Sequence, residues 1–389
     1  MTVIDVERVR RSFPALDSDL ARFDGPGGSL VPREVADAVA AAMTAGMCQR
    51  GSTSGPERLT EATTLGARSA LAGLLGADPG GLVFGRSMTA LTFDLARTLA
   101  ADWGPGDEVV VTRLDHDANI RPWVIAAERA GATVRWLGFD PTTTELDDVA
   151  TVLSERTRLV AVTAASNLFG TRPDVSAIAS AAHDAGALVH VDAVHLVPHA
   201  PVDLARLGAD LLTCSPYKFF GPHLGVLAAD PTLLELLLPD KLLPATDDVP
   251  ERFELGTLPY ELLAGVTAAV DFIAAIGGMP AVEAHEADLL ARLLDGLDDL
   301  PHVRVHGSPA SRTPTLLLHV DGVEPRAVFE HLAASDVLVP AGTFYAIEAS
   351  RHAGLGDIGG VRAGLSPYTT VDEVERLLDG LGELTSFGR

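Results

Sequence analysis

Short apolar runs rich in β-branched residues recur from about residue 80: Gly81–Phe84, Glu108–Thr112, Thr133–Phe139, Arg158–Ala164, Ala187–Asp192, Asp210–Cys214 and Gly225–Ala228. Between most of them the apolar positions take helical spacing. Ala118–Ala130 and Val175–Ala185 are examples, stopped by Gly131 and Gly186, residues able to close a helix in the left-handed conformation. Such alternation predicts an α/β fold, a mostly parallel seven-stranded sheet covered on both faces. After Gly256 the pattern changes. One helix is expected over about Tyr260–Ile276, ending at Gly277-Gly278, and another over Val282–Leu297 with leucines at 289, 290, 293, 294 and 297. Strands at Val303–His306 and Thr315–Val320 and helices at Pro325–Ala334 and Val371–Leu381 then predict a smaller α+β unit. The expected division is a large domain over residues 21–277 and a small one from residues 1–20 and 278–389, the first twenty residues packing on the small one.

Composition narrows the setting. The 389 residues are 47% hydrophobic and carry 53 acidic against 29 basic side chains, a formal charge of −24. A chain this acidic lacks the positive surface that nucleic acid or an anionic membrane requires, and the excess reads as a solvated, solubilising surface. The N-terminal stretch has no apolar core of a secretory signal. The most apolar stretch, Leu262–Val282, is interrupted by Asp271, Gly277-Gly278 and Pro280, too broken for a membrane span of about 20 residues. Two cysteines, Cys48 and Cys214, make neither a disulfide framework nor a metal site. A cytoplasmic protein without a metal is expected. Only two of the 29 basic residues are lysines, Lys218 and Lys241, so any lysine chemistry has two candidates.

The strongest local signal is HVDAVH followed by DLLTCSPYKFFGPHLGVL. Asp192 ends one buried strand, His195 follows three residues later, and Lys218 lies in a Ser-Pro-Tyr-Lys turn after the next strand. In open parallel sheets ligands gather at the carboxyl ends of strands, so Asp192 and Lys218 emerge at one rim. A lysine that forms an imine and an acid that keeps a pyridine nitrogen protonated are what pyridoxal 5′-phosphate requires; a structural ion pair would use the same two residues. Ser87, Met88 and Thr89 run from a strand into a helix and could hold phosphate at its N-terminus, or Ser87 could simply cap the helix. His116 follows another strand, where a flat lid over a cofactor ring and a solvated loop residue are both possible. Asn167 after a further strand fits either a ligand contact or a turn.

These segments in this order resemble the class V aminotransferase branch of fold-type I pyridoxal-phosphate enzymes, and most closely its cysteine desulfurase-like subgroup. The likeness runs from Phe23-Asp24-Gly25-Pro26-Gly27-Gly28 through GRSMTALTF, LDHDANIRPW, AASNLFGT, HVDAVH, SPYKFFGPHLG and FELGTLPY to GGVRAGLSPYTTVDEVERLL. It implies Lys218 as the imine-forming lysine and proton shuttle, Asp192 as partner of the pyridinium nitrogen and His116 stacked on the ring. Asn167 and His195 would bind the phenolic oxygen. Ser87, Met88, Thr89 and Ser215 would hold the phosphate. Thr257 would reach the phosphate of a neighbouring subunit, since this fold shares its sites across a homodimer. Arg362 would clamp a substrate carboxylate, with a surface charge as its bland alternative. Arg50 is a candidate at the mouth of the site, equally suited to a structural role.

Departures from the family pattern shape the functional expectation. A cysteine desulfurase needs a nucleophilic cysteine shortly before the carboxylate-binding arginine, and residues 340–360 contain none. Cys214 reads as a core residue; Cys48 has only Arg50 nearby to lower its pKa. Tyr217 stands where desulfurases carry histidine, as a hydroxyl donor or as packing. Lys218 is the natural acid–base, its pKa set by the cofactor rather than by any other nameable residue. The expected activity is C–S bond cleavage by β-elimination on a small-molecule cysteine derivative or conjugate, through an external aldimine and a quinonoid. Gly342-Thr343-Phe344-Tyr345 would shape a pocket for a substrate bulkier than cysteine. The alternatives are an aminotransferase or epimerase, a persulfide-forming desulfurase and a catalytically silent homologue.

Overall fold

The computed structural model describes residues 4–384; the outermost ends of the expected small domain, 1–3 and 385–389, lie outside the described residues. Its strands are β1 (Ala21–Arg22), β2 (Leu82–Gly85), β3 (Glu108–Thr112), β4 (Thr133–Leu137), β5 (Thr157–Thr163), β6 (Leu188–Asp192), β7 (Leu211–Cys214), β8 (Gly225–Ala229), β9 (Val303–His306), β10 (Thr315–Val320), β11 (Val337–Leu338), β12 (Ala341–Gly342) and β13 (Gly360–Gly364). Seven of them form one sheet in the order β2-β8-β7-β6-β5-β3-β4. Only β8 runs against its neighbours; the other pairings are parallel. The mostly parallel seven-stranded α/β sheet expected from the apolar runs is therefore present.

The sheet is buried on both faces because its strands are apolar at consecutive positions. Val109, Val111, Leu159 and Ala161 point into one core cluster with Trp123, Leu91 and Leu95. Val110, Val160, Val162, Val189 and Val191 point into the other. Helices Met88–Ala100 and Arg121–Ala130 cover the first face. Two helices not anticipated from the sequence, Arg33–Thr44 and Gly55–Leu75, pack on helix Tyr260–Ala275. The second is started by a capping box between Ser54 and Glu57, which satisfies helix N–H groups reciprocally.

The broken apolar stretch is resolved as two helices, Tyr260–Ala275 and Met279–Asp298, bent by 65°. Gly277 and Gly278 supply the bend with φ of 115° and 76°, values costly for any residue with a Cβ. Among the described residues no single helix is long and apolar enough to cross a membrane.

The smaller sheet has the order β12-β13-β10-β9 and shares a core with Leu289, Leu293 and Leu297. The N-terminal segment packs on both units. Ile4, Val9, Phe13 and Leu16 belong to the large core. Phe13 finds an edge-to-face slot among Phe220, Phe272 and Tyr368, with centroids at 5.7, 5.4 and 5.0 Å. The segment also reaches the small unit, where Arg10 pairs with Glu373 at 3.0 Å and Arg376 donates to the Asp19 carbonyl at 2.7 Å, and from Ala21 the chain joins it as β1 pairs in parallel with β11.

Candidate active site

Strands β2, β3, β5, β6 and β7 all point the same way, so the segments that follow them meet at one rim. That rim and the N-terminal end of β13 enclose a cavity of about 700 Å³. Into it face Lys218, Asp192, His116, Asn167, His195 and Arg362, with Ser87, Met88, Thr89, Ser215, Tyr217 and Tyr345. Twelve of the fourteen residues singled out from the sequence thus share one cavity, although they come from positions 87 to 362.

Lys218 ends a short 3-10 turn after β7, and its Nζ donates to the Pro26 carbonyl at 2.5 Å. Burial, and then the positive charge of Arg362, press its pKa down to about 7, against a smaller opposing pull from Asp192. The cofactor is therefore not needed to account for a reactive amine: the protein's own burial and Arg362 suffice, a correction to the sequence reading. Asp192 closes β6 and accepts from the Val194 N–H at 2.9 Å. Its carboxyl is raised to about 6 by burial, which the Val194 bond and Lys218 partly offset. It retains lone pairs for a cationic partner.

His116 is lowered to about 4, chiefly by burial, then by Lys218, and is held neutral. Its Nδ1 accepts the Ala118 N–H at 3.0 Å, and its ring stacks on Tyr345 at 5.5 Å with 27° between planes. Arg362 is buried in β13. Its Nη1 donates to the Asn167 carbonyl at 2.8 Å, its Cζ lies 3.8 Å from the centre of the Phe344 ring, and burial lowers its pKa to about 9. Its Nε has no partner. Asn167 donates to the Phe344 carbonyl at 2.9 Å while its own Oδ1 is buried without a partner.

At the opposite end Ser87 caps the helix Met88–Ala100, accepting from Ala90 N–H at 3.1 Å. Capping and anion binding coexist here, because Met88 and Thr89 keep the free N–H groups of a helix start. This turn lies flush on β8 because residue 225 is glycine: a Cβ there would collide with the Ser87 carbonyl carbon and the Met88 nitrogen. Ser215 is buried and its hydroxyl caps nothing. Tyr217 stacks on His223 at 4.6 Å and 8°.

Pyridoxal 5′-phosphate fits this donor set. Free helix N–H groups and two hydroxyls suit the phosphate, the Asp192 carboxylate suits a protonated pyridine nitrogen, and a buried amine of lowered pKa suits the aldehyde. The orphaned polar atoms of Asn167 and Arg362 are further groups awaiting a partner.

Two expected residues lie elsewhere. Arg50 is engaged by Glu61 at 2.8 Å and Glu251 at 2.7 Å, and these carboxylates hold it charged in an ion-pair network outside the cavity lining. Thr257 is exposed and does not line the cavity of its own chain. Cys214 is buried with its thiol pushed up by burial; Cys48 is exposed, outside the lining.

A polar network beneath the site went unread in the sequence. Asp115 accepts from Thr112 and, at 2.6 Å, from Asn119. The Asn119 Oδ1 in turn meets Trp123 Nε1 at 3.1 Å and His190 Nδ1 at 2.8 Å. The available signal was the spacing of Asp115, Asn119 and Trp123 four residues apart, one polar stripe running into an apolar helix.

The Aminotransferase class-V family matches residues 22–377, so the chain belongs to that family, whose cofactor is pyridoxal 5′-phosphate. An uncharacterised protein of Mycobacterium tuberculosis is 34% identical over 397 residues, covering 98% of this chain and 99% of its own. The probable cysteine desulfurase 2 of Mycobacterium leprae is 34% identical over 419 residues, covering 100% and 99%. The solved cysteine desulfurase of Thermococcus onnurineus NA1 superposes with a TM-score of 0.91 at 26% identity over 99% of this chain and 98% of its own. The fold-type I architecture and the cofactor implied by the sequence motifs both stand.

Proposed function

We propose that the protein cleaves the C–S bond of a small-molecule cysteine derivative by β-elimination. The observation that carries this reading is that neither cysteine of the chain lines the cavity, while an amine with a pKa of about 7 does. A persulfide-forming desulfurase needs a thiol that reaches the substrate sulfur; β-elimination needs only a base and an acid.

Bound pyridoxal phosphate supplies the electron sink that lets an amino acid lose its Cα proton. Ser87, Ser215 and the N–H groups of Met88 and Thr89 would hold its phosphate, and Asp192 would keep a proton on its ring nitrogen. Lys218 is about half neutral at pH 7, so its Nζ can accept the Cα proton. Arg362 orients the substrate by its carboxylate, a task that suits a planar guanidinium. Tyr345 and Phe93 border the remaining space. The protonated Lys218 returns its proton to the departing thiolate, and the overall balance is cysteine conjugate plus water to thiol, pyruvate and ammonia.

The test is incubation of the holoenzyme with S-substituted cysteines and with cysteine itself. Thiol and pyruvate in equal amounts are expected. Alanine with protein-bound sulfane sulfur from cysteine would instead establish the desulfurase reaction for which the relatives are named, and no turnover of either would overturn the elimination.

A homodimer accompanies this proposal. Leu238, Leu242 and Leu243 are exposed at 80%, 69% and 97%, an apolar run that a monomer would leave in water. Thr257, exposed away from its own cavity, is free to serve a second subunit.

A further inference from the structure

Glu286 sits on helix Met279–Asp298, whose Leu289, Leu293 and Leu297 enter the small core. On the same buried stripe, nearer the helix start, its carboxylate is 1% exposed. Oε2 meets His199 Nδ1 at 2.8 Å, while Oε1 has no partner. The His199 ring stands edge-on to His195, with centroids 5.2 Å apart and 69° between planes. His195 faces the cavity and is fixed by its Nε2 against Thr315 Oγ1 at 3.0 Å. A second, much smaller cavity is walled by Glu286, His199, His195, Lys218 and Ser366.

Burying a carboxylate and an imidazole with one oxygen unpaired is costly, and an apolar pair of the same volume would be at least as stable. Stability therefore does not account for this cluster. We propose that the Glu286–His199 pair is a positioning device: it reaches from the small unit to set the orientation of His195 and to place the positive end of an ion pair toward His195 and Lys218.

The polarity follows from the contacts. His199 Nδ1 lies against Glu286 Oε2 while its ring stands beside His195, so the imidazole end of the pair faces His195. Both His195 and Lys218 are disfavoured from protonation by burial; His195 is also opposed by His199, Arg362 and Lys218, and Lys218 by Arg362. The charged groups around the pair are Lys218, His195 and Arg362 on the cavity side and, on its own helix, Glu283, which is paired with Arg172 at 2.7 Å. Glu283 works with burial to raise Glu286, against His199. The pair thus sets the proton affinity of the two nitrogens that face the cofactor.

The proposal rests on the cofactor occupying the cavity, and its test reads the cofactor directly. Holoenzyme is prepared for the parent, Glu286→Gln, Glu286→Asp and His199→Asn, and the visible absorption band of the bound cofactor is titrated with pH. Gln keeps the shape of Glu but removes the charge. The expected result is a midpoint moved upward by about half a pH unit or more in Glu286→Gln and His199→Asn, partly restored in Glu286→Asp, with kcat lowered more than KM is raised. Wild-type midpoints in both Glu286→Gln and His199→Asn, at parental cofactor content and circular dichroism, would overturn it. Should Glu286→Gln fail to fold, the midpoint of His199→Asn decides alone. A parent that takes up no cofactor would overturn the site assignment itself, an outcome distinct from unmoved midpoints in coloured variants.

Discussion

The guanidinium carbon of Arg362 lies 3.8 Å from the centre of the Phe344 ring. The two aromatic residues expected to shape the substrate pocket together therefore divide the work. Phe344 carries Arg362 from beneath. Tyr345, 77% exposed, covers His116 at the mouth. Both adopt left-handed backbone, φ 54° and 61°, a strained arrangement for bulky residues held by hydrogen bonds from Asn167 Nδ2 to the Phe344 carbonyl and from Asp117 N–H to the Tyr345 carbonyl.

Replacing Arg362 by Leu is expected to lower kcat/KM by about tenfold to a hundredfold, the value of a charge-assisted pair to a carboxylate. Phe344→Ala should raise KM several-fold with kcat less affected, because a desolvated cation–π contact is worth about 2 kcal/mol. Steady-state kinetics with one S-substituted cysteine separates the two. A Phe344→Ala enzyme indistinguishable from the parent would show that the ring does not support the arginine.

Lys218 has its pKa lowered to about 7, and its nucleophilic form is the neutral amine. The rate at which cofactor-free protein captures pyridoxal phosphate should rise with pH and reach half its plateau near pH 7. Arg362→Leu removes one cause of the depression, so this midpoint should move upward. Lys218→Ala should yield no yellow protein, and retained colour together with activity would refute the assignment. Stopped-flow absorbance over pH 5–9 makes the measurement.

Asp115 is fully buried and its carboxyl is raised from 3.8 to about 8, first by burial. Between those values the folded state holds a proton that the unfolded state has released. Stability from this group is therefore complete below about pH 4 and lost as pH rises through about 8. Asp115→Asn keeps the shape and abolishes the titration. Its melting temperature relative to the parent should climb between pH 5 and pH 8, as differential scanning fluorimetry would show; parallel curves would contradict a protonated Asp115.

The run of exposed leucines supports a second copy as its cover. A Leu238→Asp, Leu243→Asp double variant is expected to sediment as a monomer where the parent sediments as a dimer. A parent that remains monomeric at micromolar concentration would remove the basis for a shared site.

Much of the fold was legible because the sheet is buried on both faces. Consecutive apolar residues at Glu108–Thr112 or Arg158–Ala164 leave few other structures, and β9 and β10 fall where the strand runs were read. Short pairings such as β1 with β11 were not legible. Two residues carry no periodicity, and their partner lies more than 300 positions away.

The candidate site divides along the same line. Sequence by itself determined that a lysine, an aspartate and a small turn at a helix start lie at strand ends of a parallel sheet, because residue type and strand direction are local properties. It also determined the absence of a cysteine before Arg362. Only the tertiary structure decided which charges meet. It set Arg50 among carboxylates outside the cavity lining and brought Arg362 close enough to Lys218 to depress it. It also set Glu286 against His199. Proton affinity depends on burial and on charges from remote segments, and neither is written in the order of residues.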